Sequence, residues 1–279
     1  MQANARKSKR KGRKAPLIVL AVIFSVVIAG ISLFFAFLDS RTLDFEEFFV
    51  AREGWGGHDV TIVHLSDLHF PNAVDTDKML ARIEEAEPDI IAVTGDIIGT
   101  RTVVEQSGVF EFVERLANIG APVFFVRGNH ERNNRNSQLL YDNMAANGVV
   151  ILRNESVVMG DITVIGLDYG TSSATISCDE ENNFVILLTH VPSFGNTLYT
   201  SEGAAIIPNL ILSGHIHGGQ IRIFGRGILC PDTLLFPRFA AGLYTLGESK
   251  MIVSRGIGNS IVPWRVNNMP HIPIIIFER

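Results

Sequence analysis

Residues 60–69 read VTIVHLSDLH, residues 89–96 read DIIAVTGD, and residues 123–131 read VFFVRGNHE. Each is a short β-branched or aromatic run that stops at a polar cluster, the pattern of a buried strand that ends at a sheet edge. Helical spacing separates the runs. Met79, Leu80 and Ile83 share one face of Asp77–Glu87, which Pro88 stops, and Phe110, Val113, Leu116 and Ala117 mark the amphipathic stretch Val103–Ile119. Ser137–Asn147 is a third helical stretch, closed by Gly148. This alternation predicts an α/β sheet, and its polar clusters should converge, because ligands gather outside the carboxyl ends of strands in such sheets.

From Val149 onward the rhythm changes. Val149–Leu152, Ser156–Met159, Ile162–Leu167, Phe184–Thr189, Leu210–Ser213, Gln220–Phe224, Gly242–Leu246, Met251–Arg255 and Ile272–Phe277 are short strand candidates with few helical patterns between them. A second sheet, mixed or antiparallel and packed on the first, is the economical expectation. A chain of 279 residues is ample for such a core.

Five blocks carry the chemistry: Asp67-Leu-His69, Gly95-Asp96, Gly128-Asn129-His130-Glu131, Thr189-His190, and Gly214-His215-Ile-His217-Gly-Gly-Gln220. Five of the 8 histidines lie inside them, each block directly after a strand candidate, which argues for one shared site. Asp and His side chains without a thiolate suit Mn, Fe or Zn. Asp67 and His69, two apart on a segment read as extended, should point the same way, as should His215 and His217. Two divalent ions bring four positive charges, against one negative charge each from Asp67, Asp96 and a bridging hydroxide. The remainder is positive and suits an anionic phosphate.

The order D-x-H, G-D, G-N-H-E, H, G-H-x-H resembles the calcineurin-like metallophosphoesterase family, and the G-H-x-H-G-G-Q ending behind an N-terminal apolar segment is similar to its bacterial membrane-associated branch. The likeness runs from about Val60 to the carboxyl end. It implies a four-layer α/β/β/α sandwich of two mixed sheets. It also implies one ion on Asp67, His69 and His217, a second on Asn129, His190 and His215, and Asp96 bridging them with a water or hydroxide that attacks phosphorus. His130 is then the general acid, and Glu131 a supporting group that does not ligate. Arg127 is either a two-point donor to phosphate or, more commonly for such a residue, the partner of an acidic neighbour. Two stretches depart from the family's pattern: residues 167–184 are short and polar where many relatives have a helical insert, and residues 192–209 make a weak helix at best. His58 and His64 read as structural, His271 as exposed, and Arg255 with Asn259 as a turn without contact to the site.

Residues 17–38, LIVLAVIFSVVIAGISLFFAFL, contain no charge and span roughly 30 Å as a helix. No clean small-residue cleavage site follows, so an uncleaved anchor is favoured over a signal peptide. Arg6, Lys7, Lys9, Arg10, Lys11, Arg13 and Lys14 place seven positive charges before it, leaving −12 for the rest of a chain whose total is −5. That polarity predicts a single-pass protein of the cell membrane with a cytoplasmic N-terminus and an extracytoplasmic catalytic domain. An acidic body also argues against nucleic acid as a partner. The expected organisation is a basic tail (1–16), an anchor (17–38), a connector with a first strand held by Phe45, Phe48 and Phe49 (39–58), and the catalytic domain (59–279). Cys178 and Cys230 are left undecided as a pair.

The reading that follows is a membrane-anchored phosphoesterase with two divalent ions, acting on a phosphodiester or related ester of a lipid or envelope molecule. A UDP-2,3-diacylglucosamine-type pyrophosphate hydrolase is the alternative substrate reading. A non-catalytic metal-binding envelope protein is the alternative of another class.

Overall fold

In chain order, the computed structural model has helix α1 (Lys14–Asp39), then strands β1 (Asp44–Ala51) and β2 (Val60–Leu65), helix α2 (Thr76–Glu85), β3 (Ile90–Val93), α3 (Val109–Ala117) and β4 (Val123–Phe125). Helices α4 (Asn129–Asn133) and α5 (Ser137–Ala146) follow, then β5 (Val150–Ile151), β6 (Glu155–Met159), β7 (Ile162–Gly166), β8 (Ser173–Thr175), β9 (Phe184–Leu188), β10 (Thr197–Tyr199) and β11 (Leu210–Ser213). The chain ends with β12 (Arg222–Ile223), β13 (Arg226–Gly227), β14 (Leu229–Cys230), β15 (Leu234–Leu235), β16 (Gly242–Leu246), β17 (Ser249–Val253) and β18 (His271–Glu278). The structure describes residues 14–51, 59–171, 173–176, 183–192, 197–199, 202–230, 234–259 and 263–278. The basic tail before Lys14, His58 and Cys178 lie outside them, and Cys230 is buried.

Two six-stranded sheets stack face to face, in the orders β1-β18-β2-β3-β4-β5 and β16-β17-β11-β9-β7-β6. The first is parallel except where β18 meets β2. The second is mixed, with β7, β9, β11 and β17 parallel at its centre and antiparallel neighbours at each edge. Strand alternation divides the side chains between layers. In β2, Ile62 faces the second sheet, whereas Val63 and Leu65 face Met79, Ile83, Phe112 and Leu116 of the helices. In β9, Ile186 and Leu188 face the first sheet, and Val185 and Leu187 face outward. Among the described residues that outer face is covered by Ile176, Leu198 and Ile206, on short strands and loops. The short 167–184 link puts no helix there in the described residues.

Several local expectations are corrected. Residues 103–119 do not form one helix: a 3-10 turn (Val104–Gln106) precedes Gly108, whose φ of +80° redirects the chain into α3. Residues 220–224 do not form one strand, since they leave the His217–Gly219 turn and enter the β12–β13 hairpin. His271, expected exposed between two prolines, is fully buried at the start of β18, with Nε2 3.0 Å from Glu46 Oε2 and its ring edge-on to Phe48. The cause is β1, which pairs along the whole of β18 as an edge strand and covers it.

His64 is structural as expected, buried in β2 with Nε2 2.8 Å from Thr94 Oγ1. Burial holds its pKa down to about 3. The unfolded chain, with an ordinary imidazole, therefore takes up this proton first as pH falls. Stability from this group is complete above about pH 6.5 and declines toward pH 3 by up to about 1.4 kcal/mol per unit. Acid-dependent loss of melting temperature between pH 7 and 5 should be shallower in His64→Gln than in the parent chain. Leu212, fully buried between the sheets, gives the packing test: Leu212→Ala should cost about 2–5 kcal/mol in denaturant unfolding.

Candidate metal centre

The loops after β2, β3, β4, β9 and β11 bring all five sequence blocks to one edge of the stacked sheets. Asp67, His69, Asp96, His190, His215 and His217 are buried there, and His130 is partly open. The side chains of Asp67, His69 and His217 point donor atoms at one another within 4.8 Å, and so do those of Asp96, His190 and His215. His69 Nε2 and His217 Nε2 are 3.2 Å apart, and Asp67 Oδ1 lies 3.4 Å from His217 Nε2. On the other side His190 Nε2 is 3.0 Å from Asn129 Oδ1 and 3.1 Å from His215 Nδ1. Asp96 stands between the groups, its Oδ2 3.3 Å from His190 Nε2 and 3.9 Å from His69 Nε2.

The residues reach this arrangement by a route other than extended chain. Asp67, His69, Asp96, His215 and His217 have φ between 48° and 70°, a left-handed conformation that side chains other than glycine's rarely adopt. The expectation of extended segments at Asp67–His69 and His215–His217 is thus corrected. The backbone turns sharply as it leaves each strand, and that turn aims the side chains inward. Backbone strain of about 1–3 kcal/mol per residue persists only where surrounding structure holds it.

Hydrogen bonds set which atoms are free. Ser66 Oγ and His215 N–H donate to Asp67 Oδ2 at 2.7 and 2.8 Å, whereas buried Oδ1 has no donor. His190 Nδ1 is 2.7 Å from the Thr94 carbonyl, so it bears the proton of a neutral ring, and Nε2 is the nitrogen turned to the cluster. His130 is held the other way round. Thr100 N–H donates to its Nδ1 at 3.0 Å, which leaves the proton of a neutral ring on Nε2, 3.8 Å from Asp96 Oδ2. Burial opposes charge on Asp67, yet His217 and His190 hold its carboxyl below the usual range. Burial opposes it on Asp96 too, yet His190, His69 and His130 hold that carboxyl low. Burial keeps His69 and His217 neutral, at about 4 and 3. Burial also disfavours charge on His190, but Asp96 outweighs it and raises the pKa to about 10. Imidazole nitrogens converging on two carboxylates, with an orphaned buried oxygen, form a donor set that fits divalent cations, which would displace the second proton of His190.

Glu131 supports this edge without facing into it. Its buried carboxylate accepts from Asp96 N–H and Gly128 N–H, both at 2.9 Å, and from Ile98 N–H at 3.1 Å. Burial, with the charge of Asp96, pushes its pKa up to about 7. Arg127 is gripped at two points by Asp168, the alternative weighed for it, so its guanidinium is occupied by a carboxylate.

Sequence reasoning missed the contacts that residues 254–259 and 263–268 make with the site. Arg255, expected in a turn without contact to the site, pairs with Asp44 and Glu46, whereas its neighbours reach the site: Ile257 N–H donates to the Ser66 carbonyl and Gly258 N–H to that of Asp67. Arg265 is fully buried and gives hydrogens to the Arg255 carbonyl, the Gly258 carbonyl and Asn259 Oδ1. Asn268 Nδ2 donates to the His217 carbonyl at 2.8 Å. No motif flags these residues, since they act through backbone atoms. Thr100 escaped for the same reason.

Two sheets presenting paired Asp and His clusters at one edge define a metal-dependent hydrolase. The family model for calcineurin-like phosphoesterases matches residues 60–219, over half the chain, and the chain belongs to that family. It is a metal-dependent phosphoesterase. Among similar proteins, the Bacillus subtilis (strain 168) metallophosphoesterase YkoQ is 28% identical over 226 residues, covering 76% of this chain and 82% of its own length. Phosphodiesterase YaeI of Escherichia coli (strain K12) is 25% identical over 228 residues, covering 77% and 80%. A Bos taurus transmembrane protein with a metallophosphoesterase domain is 27% identical over 244 residues, and the match spans 78% of this chain but 52% of that protein.

Gly214 allows the closest approach in the centre. A Cβ there would collide with Ser66 Oγ and Asp67 Oδ2. Gly214→Ala should displace Asp67 and sharply lower bound metal by elemental analysis, with the far-ultraviolet circular dichroism unchanged.

Proposed function

We propose that this chain hydrolyses a phosphodiester or related phosphate ester of a lipid or envelope molecule, at a two-ion centre held close to a membrane. The observation that carries this reading is Asp96, whose Oδ2 faces His69 on one side and His190 on the other. Asp67, His69 and His217 would hold one ion and Asn129, His190 and His215 the other, with Asp96 placed to serve both. Two divalent ions, Mn, Fe or Zn, supply the positive charge that draws in an anionic ester and the activation of water.

The chain's own groups do the rest. His130 presents Nε2–H toward the open side of the cluster, where it donates to the leaving oxygen or to a phosphate oxygen. Thr100 keeps that tautomer in place. Asp96 Oδ1 accepts the His130 backbone N–H at 2.8 Å, so the bridging carboxylate and the acid are positioned as one unit. Glu131 locks the same unit from beneath. No Ser, Cys or Asp nucleophile is required.

Helix α1 includes a span, Pro16–Asp39, long and apolar enough to cross a membrane, and we read it as the anchor. The basic residues before it argue for a cytoplasmic N-terminus, which sets residues 59–279 on the far side of the bilayer. Residues 39–58 then join anchor to domain.

The test uses the purified full chain loaded with Mn, Fe or Zn and assayed on bis(p-nitrophenyl) phosphate. Turnover should require metal and vanish in Asp96→Ala. In His130→Ala it should fall by about 10²–10⁴-fold with metal content retained. Metal binding without turnover of any ester would instead favour a non-catalytic metal-binding protein.

A further inference from the structure

Only four residues separate the end of α1 at Asp39 from the start of β1 at Asp44, a tether of at most about 18 Å. That tether is pinned to the domain. Asn267 N–H donates to Asp39 Oδ2 at 2.6 Å, and Arg265 N–H donates to Ser40 Oγ at 2.9 Å. The end of the apolar helix thus rests on the 264–268 loop. That loop is joined in turn to the β12–β13 hairpin: Ile221 bridges Val266, Arg222 N–H donates to the Val266 carbonyl at 3.0 Å, and Asn267 Nδ2 donates to the Arg222 carbonyl at 3.3 Å.

Large apolar side chains are left in the open along this run. Ile223 is half exposed, Phe224 is completely exposed at 101%, Phe236 is 67% exposed and Trp264 41%. Phe236 belongs with the others because its N–H donates to the carbonyl of Ile228, just beyond β13. Phe224 and Gly225 form the two-residue hairpin tip, with φ of 49° and 76°. Such a tip has positive φ at both positions and favours Asn-Gly. Phenylalanine at the first position accepts backbone strain and buries nothing in return. Phe236 repeats the pattern, with φ of 53°. Two exposed phenylalanines in strained backbone, beside the exit of an apolar helix, have no account within the domain. Arg41, Arg226 and Arg238 are exposed in the same segments, suited to anionic headgroups.

We propose that Phe224, with Ile223, Phe236 and Trp264, forms a lipid-docking surface that enters the headgroup–acyl boundary of the bilayer crossed by α1. Aromatic rings favour that boundary, and the tether keeps them within reach of it. The hairpin is bonded to the turn that carries His217: Arg222 Nη1 donates to the Gly218 carbonyl at 3.1 Å and Ile228 N–H to the Gly219 carbonyl at 3.3 Å. Docking would therefore hold the candidate metal centre against the bilayer, where an ester at headgroup level meets it. The proposal rests on reading α1 as the anchor, and flotation with vesicles tests that reading by itself.

The experiment reconstitutes the full chain, with Trp55→Phe so that Trp264 is the one remaining tryptophan, into phosphatidylcholine–phosphatidylglycerol vesicles. Half of the preparations carry bromine on the acyl chains near the headgroups. Trp264 fluorescence should be quenched by the brominated lipid. Phe224→Asn installs the residue that the turn favours, so it should keep or raise the melting temperature and leave turnover of bis(p-nitrophenyl) phosphate unchanged, yet lose most of that quenching. A chain that floats with vesicles while Trp264 stays unquenched overturns the docking surface and spares the anchor. Equal quenching in Phe224→Asn overturns the role given to the hairpin tip. A chain that does not float overturns anchor and surface together, and Phe224→Asn that changes particle size in detergent while Trp264 is unquenched assigns the face to a second copy.

Discussion

The structure is organised around the burial of Asp67 and Asp96 at one edge of two stacked sheets. A buried carboxylate is costly unless opposite charge or hydrogen-bond donors compensate it. Here the compensation is specific and incomplete. Asp67 Oδ2 and Asp96 Oδ1 each take a backbone N–H from a histidine of the cluster, whereas the remaining oxygens face imidazole nitrogens. Imidazole nitrogens crowded around two carboxylates, one of them with an unpaired oxygen, are a poor arrangement for a protein alone and a good one for divalent cations. That mismatch, more than any single motif, makes the edge a candidate metal centre.

The surrounding fold serves to keep that mismatch in place. Five of the cluster's residues sit in left-handed backbone, and such strain survives only if something stiff over-determines it. The stiffness comes from the inter-sheet core, where Ile62, Phe124, Leu188 and Leu212 interlock. It comes too from two buried ionic groups behind the site: Glu131, tying three backbone N–H groups of the β3 and β4 loops, and Arg265, tying the carbonyls of the 255–258 turn. Neither faces a substrate. Their work is to hold the backbone from which the site residues project, and the same loop carries this rigidity to the end of α1.

Much of the sheet core was legible in the sequence, because strands buried on both faces read as continuous apolar runs. Val60–Leu65 and Leu210–Ser213 are such strands and fall on their expected bounds. The candidate site was legible because each polar block directly follows such a run, which places it at the sheet edge. What failed were inferences needing backbone angles or distant partners. Asp67–His69 was read as extended because sequence spacing carries no φ. His271 was read as exposed because nothing in its neighbours announces that β1, over 200 residues earlier, will lie across it. Arg265 and Asn268 escape notice in the sequence because their contacts run to main-chain carbonyls, which carry no residue signature.

By itself, then, the sequence determined which residues would meet and what chemistry they offer: Asp, Asn and His at strand ends, without a thiolate, next to glycines that permit close approach. It also determined an apolar helix of spanning length before an acidic domain. Tertiary structure alone decided the rest. It set which oxygen of each carboxylate is free, which nitrogen of His130 and His190 bears the proton, and that the helix end sits on the loop bonded to His217. These follow from hydrogen bonds between segments far apart in the chain, and such bonds depend on the packing of the finished fold and leave no local pattern to read.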